Sequence, residues 1–342
     1  MLYGTTREDV RRKLNVALGA AEAGNLSDAR GTTVGGFLDL WLAEVARPSV
    51  RYWTFKGYEV HVRIHLKPAL GRMQLERLEP AHVQSLLNEK LRSGLSPKSV
   101  QYLRGTLRTA LSHAVRWGYI SRNPASMVDG PRVEPYEAQP FTVEEARIFL
   151  DAVKGDRLQA LYSVALTVGL RQGEALGLRW PDVDLQLGTL TVTKQLQRID
   201  GVFQLVEPKT KRSRRTVALP GIAVRELRDH RARQRSERDQ GGPGWNPRDL
   251  VFTTRIGEPL DGTVVSHQFH RILQQAGLPQ RRFHDLRHSC ATLLQAQDVS
   301  PRVAMEILGH SHIAVTMNMY TKVVTALKRD AAERINELMV ER

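Results

Sequence analysis

The sequence predicts a mostly helical protein with two domains and a small antiparallel β-sheet in the second domain. Its 342 residues exceed what one compact core usually holds. Apolar residues recur at helical spacing along most of the chain, whereas three short runs alternate between apolar and polar residues. A proline-rich break between residues 123 and 140 separates the two parts.

Helices account for the whole of the first part. Their predicted spans are 5–23, 34–47, 51–66, 80–91 and 97–117. We expect Pro48 to end the second of these helices, and Pro68 with Gly71 to end the third, because proline lacks the amide proton that a helix interior needs. The last helix has an apolar face that consists of Val100, Leu103, Leu107, Leu111 and Ala114.

The second part mixes helices with strands. Thr142, followed by Glu144 and Glu145, predicts the start of a helix, and a long apolar helix follows over residues 157–170. From residue 223 onward the pattern is helical, apart from a loop over 239–246. One small antiparallel sheet is predicted by a turn at Asp200–Gly201 and by alternating runs over 189–193, 202–205 and 216–219.

The charge of the chain indicates a polyanionic partner. Lys and Arg number 50 against 36 Asp and Glu, which gives a formal net charge of +14. Arginine predominates, and its planar fork matches phosphate oxygens. The single Cys290 fits a reducing compartment, and the sequence has neither a secretory leader pattern nor an apolar run long enough for a membrane span. We therefore expect a nucleic-acid-associated protein of the cytoplasm.

Four separated segments carry polar residues suited to phosphate chemistry. A metal-free attack on a phosphodiester needs fixed cations at the non-bridging oxygens, an in-line nucleophile, and a proton donor for the leaving oxygen. Arginines can supply the cations, a tyrosine hydroxyl the nucleophile, and a histidine or lysine the proton. In chain order the segments contain Arg171 with Glu174, the cationic run 209–215, His284 with Arg287 and His288, and His310 with Tyr320.

These segments resemble the signature motifs of tyrosine recombinases of the phage integrase family. Residues 169–174 (Gly-Leu-Arg-Gln-Gly-Glu) are similar to the family's first-arginine motif, and residues 208–215 to its β-hairpin lysine segment. Residues 283–289 match the His-x-x-Arg box, and Leu-Gly-His-Ser over 308–311, with Tyr320 ten residues past the histidine, matches the last box. The upstream helices resemble the family's core-binding domain, so the resemblance covers roughly residues 34–325.

The resemblance implies how the phosphate would be held. Arg171 and Arg287 would clamp the scissile phosphate, and His310 would hydrogen-bond one of its oxygens. Glu174 would brace the site from behind.

The resemblance also implies which groups react. Tyr320 would form a 3′-phosphotyrosyl bond, which keeps the energy of the phosphodiester, so no cofactor and no metal are expected. His284 would accept and donate a proton near the nucleophile. Lys209 would protonate the leaving 5′ hydroxyl by the family's register, but Lys211 would share its orientation in an extended strand and could act instead.

A two-domain clamp on duplex DNA at specific recombination sites is the architecture that the resemblance implies. A helical, SAM-like core-binding domain (34–125) and an α+β catalytic domain (141–322) would be joined by a linker (126–140). Residues 1–33 resemble the end of an arm-binding region, and a helical tail over 323–342 would pack on its own domain or dock onto a neighbouring protomer. A homotetramer on paired sites is expected, assisted by an accessory DNA-bending or excision factor. The expected DNA-contacting residues are Arg51, Lys56, Arg104, Arg108, Lys211, Arg212 and Arg214.

Three other functions compete with recombination. His284 and His288 are four residues apart, as in a zinc-binding helix of a metal hydrolase, but Asp285 stands where such helices carry Glu, and the nearby cations disfavour a dication. A non-catalytic DNA-binding protein would explain the charge and leave the set of six reactive residues unexplained. A type IB topoisomerase shares the chemistry, but the upstream helices look like those of integrases.

Overall fold

The computed structural model describes residues 31–134, 136, 138–208, 213–245 and 248–309. The chain divides into two units, Met1–Tyr136 and Glu137–Arg342, and each has its own hydrophobic core. The helix predicted over 5–23 and the tail predicted over 323–342 lie outside the described residues.

The described residues of the first unit form four helices. α1 comprises Val34–Trp41, Leu42–Ala46 and Arg47–Ser49, α2 comprises Tyr52–Val60, His61–Leu66 and Lys67–Leu70, α3 spans Pro80–Arg92, and α4 spans Pro97–Arg116. Two short 3-10 turns cover Leu75–Arg77 and Pro124–Ser126. The predicted apolar face of α4 is buried, and it packs in one core with Phe37 and Trp41.

Neither predicted proline ends its helix, although α2 does end just before Gly71, as predicted. α1 continues past Pro48, and α2 continues past Pro68. In each helix a π-helical segment precedes the proline, and the residue just before it donates its amide to the carbonyl five residues back: Arg47 to Leu42, and Lys67 to Val62. The wider π turn changes where the preceding carbonyls lie, so the proline ring is accommodated without ending the helix.

The second unit combines seven described helices with five described strands. The helices are α5 Val143–Ala152, α6 Gln159–Val168, α7 Gln172–Leu176, α8 Gly221–Gly241, α9 Gly262–Gln275, α10 Asp285–Ala296 and α11 Pro301–Leu308. The strands are β1 Val183–Asp184, β2 Thr189–Val192, β3 Gln195–Ile199, β4 Val202–Val206 and β5 Arg215–Ala218. Two 3-10 turns cover Trp180–Asp182 and Gly242–Gly244. α8 runs to Gly241, so the loop predicted from residue 239 begins later than expected.

The strands form two sheets instead of the single sheet predicted. β2 pairs antiparallel with β1 and β5, and β3 pairs only with β4 among the described strands. The β3–β4 hairpin has the predicted turn, where Asp200 and Gly201 have φ values of 47° and 82°. β3 lies against α7, since a Cβ added at Gly177 would stand 2.5 Å from the amide nitrogen of Leu196. β3 thus lies beside the end of α7 and does not pair with β2.

α6 lies at the centre of the second unit. Seven consecutive residues, 160–166, are buried, so the helix is apolar on every side rather than along one stripe. Tyr162 packs near Phe149, Phe269 and Phe283 with ring centroids 5.9 to 6.3 Å apart. α6 ends at Gly169, just before the first segment of polar residues, so the core holds that segment in place.

Candidate active site

Arg171 lies in the short connection between α6 and α7. Gly169 ends α6 in the left-handed conformation, at φ 69°. The Arg171 guanidinium donates from Nη1 to Glu174 Oε1 (2.7 Å) and from Nη2 to the carbonyl oxygen of Gly309 (3.4 Å). Its side chain remains 36% exposed, so the guanidinium can reach a ligand from solvent.

Glu174 is a buried carboxylate held by two arginines. Its Oε2 accepts from the Arg171 backbone amide (3.0 Å) and from Arg215 Nη2 (3.1 Å), and its side chain is 2% exposed. Burial alone would raise the pKa of Glu174, but the charges of Arg215 and Arg171 outweigh burial and lower the pKa. Glu174 is therefore ionised at neutral pH, and its carboxylate contacts the guanidinium groups of both Arg171 and Arg215.

Arg287 lies in the first turn of α10 and is 1% exposed. Its Nη1 donates to the carbonyl oxygen of Gly169 (2.7 Å), and its Nη2 donates to that of Leu308. Both carbonyls lie at the C-terminal ends of helices, where the helix dipole favours a cation. Burial lowers the pKa of Arg287 to about 9, and the charge of Arg171 acts in the same direction. The guanidinium thus stays charged at neutral pH.

His284 precedes α10 and lies near both arginines. Its ring is edge-on to that of His288, with centroids 5.3 Å apart. Desolvation lowers the pKa of His284, and the charges of His288, Arg287 and Arg171 lower it further. The residue as a whole is nevertheless exposed to solvent. His284 is thus a neutral imidazole at pH 7 that solvent or a ligand can approach.

Arg215 belongs to the site, although sequence reasoning selected its neighbour Arg214. The Arg215 side chain is 7% exposed; besides Glu174, it donates from Nε to the carbonyl oxygen of Ile307 (2.7 Å), whereas Arg214 is exposed. Alternation along β5 could have identified it. Arg215 is two residues from the buried Val217, so both point to the same face of the strand.

Three consecutive carbonyls at the end of α11 bring the arginines together. The oxygens of residues 307, 308 and 309 accept hydrogen bonds from Arg215, Arg287 and Arg171 respectively. The residue that follows is His310. One turn of chain thereby fixes three guanidinium groups that come from three separate segments between residues 171 and 287.

Several predicted site residues lie outside the described part of the chain. They are Lys209, Lys211, Arg212, His310 and Tyr320. Of the predicted residues, the structure therefore brings together Arg171, Glu174, His284 and Arg287.

The predicted DNA-contacting residues of the first unit differ in their surroundings. Arg51 and Arg108 are exposed. Lys56 is half-buried and pairs with Glu59 at 3.0 Å. Arg104 is also half-buried and donates from Nη2 to the carbonyl oxygen of Val128 (2.6 Å), so its guanidinium binds the protein's own chain. Arg104 therefore fits a surface phosphate contact less well than Arg108.

The described residues offer neither a metal site nor a membrane span. In that part of the chain, no three His, Cys, Asp or Glu side chains gather in a group that could hold a metal ion. No described helix combines the length and the apolar character needed to cross a membrane.

Comparison with known families matches both units. Residues 140–326 match the Phage integrase family, and residues 33–91 match the phage integrase N-terminal SAM-like domain. A XerC-like tyrosine recombinase of Caldanaerobacter subterraneus subsp. tengcongensis is 34% identical over 357 residues, with 99% of this chain and 91% of that protein covered. An integrase of Saccharopolyspora erythraea is 30% identical over 358 residues, with 89% and 82% covered.

Solved structures share the fold. The Tn1549 transposon integrase, in complex with a circular intermediate DNA, superposes with a TM-score of 0.73 at 23% identity and covers 87% of this chain and 99% of its own. A lambda integrase dimer bound to a COC′ core site gives 0.65 at 20% identity, with 93% and 87% covered. The predicted fold class, mostly helical with small antiparallel strands, is confirmed.

Proposed function

The chain belongs to the phage integrase family, and we propose that it cuts and rejoins duplex DNA through a covalent bond between Tyr320 and a 3′ phosphate. It is a site-specific tyrosine recombinase, so strand breakage and rejoining are two transesterifications. Each exchanges one phosphate ester for another, so neither step needs ATP. Integration and excision of a phage or another mobile element is the setting that this activity serves.

The observation that carries the proposal is the convergence of Arg171, Arg215 and Arg287 on the residues just before His310. Charges fixed in advance stabilise a phosphorane-like transition state without reorganising when it forms. A guanidinium has five N–H donors, and the two hydrogen bonds given above for Arg287 leave others to face a phosphate oxygen. Of the two arginines expected to clamp the phosphate, Arg171 is accessible to solvent and Arg287 is buried.

We assign the proton transfer at the nucleophile to His284. The lowered pKa keeps its imidazole neutral at pH 7, so one ring nitrogen can accept a proton. Tyrosine ordinarily ionises near pH 10, so its attack on phosphorus needs such an acceptor. In the rejoining step the same imidazole would return the proton to Tyr320.

We assign protonation of the leaving 5′ oxygen to Lys209, with Lys211 as the alternative. Both precede Arg215, whose side chain is anchored to Glu174 and to the end of α11. The start of β5 is thereby fixed beside Arg171. This anchor supports a lysine donor from the segment that leads into β5, and it does not distinguish between the two lysines.

Duplex DNA at specific recombination sites is the proposed substrate, held by two domains over residues 34–125 and 141–322 as a clamp. A lambda integrase tetramer on a Holliday junction shares this fold, with a TM-score of 0.63 at 22% identity. We propose the same stoichiometry for this chain, with the tail over 323–342 as the segment that joins neighbouring protomers. An accessory DNA-bending or excision factor would select the direction of recombination.

A nicked duplex tests the proposal. The substrate carries a candidate attachment site from the genomic flanks of the gene and loses a short strand after cleavage, so the covalent complex accumulates. The wild-type chain should give a protein–DNA band that survives denaturation and withstands a chelator. Tyr320→Phe should lose the band and still shift the duplex. A band of undiminished strength in that variant would refute the role of Tyr320.

A further inference from the structure

A cationic pocket lies near the β1 edge of the three-stranded sheet, whereas the candidate active site lies near the β5 edge. The strand order is β1, β2, β5; Arg215 lies on β5, and the 3-10 turn Trp180–Asp182 leads directly into β1. The pocket has a volume of about 340 Å³. Its lining includes Trp180, Arg231, Arg235, Arg238, Trp245 and Arg248. None of these residues takes part in the proposed cleavage.

The pocket is built on one face of α8. Arg231, Arg235 and Arg238 are four and three residues apart, so their side chains project from the same side of the helix. Between them, the buried Gln234 accepts from Trp180 Nε1 (2.6 Å) and donates to the carbonyl oxygens of Leu250 (3.1 Å) and Val251 (3.0 Å). These hydrogen bonds hold Gln234 in place next to Arg231, Arg235 and Arg238, which together form the arginine row.

Positive charge in the pocket is poorly balanced. The Arg231 guanidinium stacks over the Trp180 indole at 5.0 Å, and among the described residues neither Arg231 nor Arg235 forms an ion pair with an acid. Arg238 is 3.7 Å from Asp239, but both side chains are more than half exposed, so that pair is weak. Four guanidinium groups therefore share a concave surface whose lining includes a single carboxylate, that of Asp249.

We propose that this pocket binds the phosphate backbone of a second segment of duplex DNA, distinct from the segment that is cut. Arg238 follows Arg231 by seven positions along the helix, which corresponds to about 10 Å along the axis. A DNA strand carries one phosphate per roughly 3.4 Å of duplex axis, so the row spans about three phosphates. Arginine forks suit these oxygens, and because phosphate contacts carry no sequence information, we expect this contact to have no sequence preference.

Site-directed photo-crosslinking tests this proposal in the full chain. The sole native cysteine, Cys290, is 2% exposed, so Ala232→Cys provides one accessible thiol beside the arginine row. That thiol is labelled with a photoactivatable aryl azide, in a Tyr320→Phe background that forms no phosphotyrosyl bond. A labelled 40-base-pair duplex of unrelated sequence should crosslink. Arg235→Glu with Arg238→Glu should reduce the yield at least about fivefold, since both phosphate contacts become repulsive.

The matched control reverses the same number of charges elsewhere in the unit, with Arg225→Glu and Arg255→Glu, both at exposed positions. This control should leave the crosslink yield within about twofold of its parent. Equal losses in the two double variants would mean that net charge alone drives the contact, and the proposal would be wrong. Crosslinking to a single strand but not to the duplex would also overturn it. Because Tyr320 is absent throughout, failure here leaves the proposed cleavage chemistry untouched.

Discussion

Glu174 shows how a single buried residue holds the candidate site in shape. Its two carboxylate oxygens receive the Arg171 guanidinium, the Arg171 amide and the Arg215 guanidinium. Loss of the carboxylate would leave two neighbouring guanidinium groups without their shared counter-charge. Breaking a buried charge pair by removing one partner commonly costs about 3 to 5 kcal/mol.

Glu174→Gln should therefore destabilise the second unit in a pH-dependent way. The folded-state pKa of Glu174 is lowered, so its contribution is complete above the ordinary glutamate pKa of about 4.3 and is lost as pH falls through the lowered value. We expect a loss of about 3 kcal/mol at pH 7 that shrinks toward pH 3. Urea unfolding at both pH values measures this. If Glu174→Gln lowered the free energy of unfolding equally at pH 7 and pH 3, the claim that the carboxylate is ionised would be contradicted.

Arg215 and Arg214 provide a matched pair for testing position rather than charge. Arg215→Lys keeps the charge but cannot bridge Glu174 and the Ile307 carbonyl with one planar fork. We expect single-turnover cleavage to fall about 10²-fold, as for a misplacement of about 1 Å. Arg214→Lys, at the exposed neighbouring position, should change cleavage less than about threefold. Equal effects of the two substitutions would remove Arg215 from the site.

At the scale of the elements, the end of α6 is packed against α10 and α11. A Cβ added at Gly169 would lie 2.5 Å from Leu308 Cδ2 and 3.1 Å from Cys290 Sγ. Gly155 has a similar left-handed backbone, at φ 79°, but no atom within 4 Å of an added Cβ. Comparing substitutions at these two glycines therefore distinguishes the cost of a left-handed backbone from the cost of crowding.

Gly169→Ala should destabilise the protein more than Gly155→Ala. Both substitutions pay about 1 to 2 kcal/mol for a left-handed non-glycine residue, and overpacking adds about 1 to 3 kcal/mol only at Gly169. Thermal unfolding of both variants measures the difference. Gly169→Ala should also slow cleavage, because the shifted helix ends carry the carbonyls that bind Arg287. Similar melting temperatures for the two variants would show that the helices do not meet closely here.

A structural element can be predicted from the sequence when a few adjacent residues determine it. The Thr142–Glu145 capping box and the Asp200–Gly201 turn were both predicted, since each depends on a few adjacent residues. Both helices were predicted, but their continuation past Pro48 and Pro68 was missed, because π turns leave no periodic signal. Arg215 was missed although it alternates with Val217 along β5, because its contacts with Glu174 and Ile307 join segments far apart in sequence.

At the scale of the whole molecule, net charge should govern the affinity for DNA. The chain carries a formal charge of +14, and phosphate contacts release counterions when they form. The logarithm of the binding constant for duplex DNA should fall linearly with the logarithm of the KCl concentration, with a slope of about −5 or steeper. Fluorescence anisotropy over 50 to 300 mM KCl (roughly the range where such slopes are measured) checks this. A slope between zero and about −2 would argue against an extended phosphate interface.

A structure of the full chain on a nicked site duplex with vanadate tests the central claim most directly, because vanadate adopts the geometry of phosphorus under attack. We predict the Tyr320 oxygen at one apical position with a ring nitrogen of His284 within about 3 Å of it, and nitrogens of Arg171 and Arg287 within about 3 Å of the equatorial oxygens. A vanadate bound by Tyr320 but remote from both guanidinium groups would contradict the account.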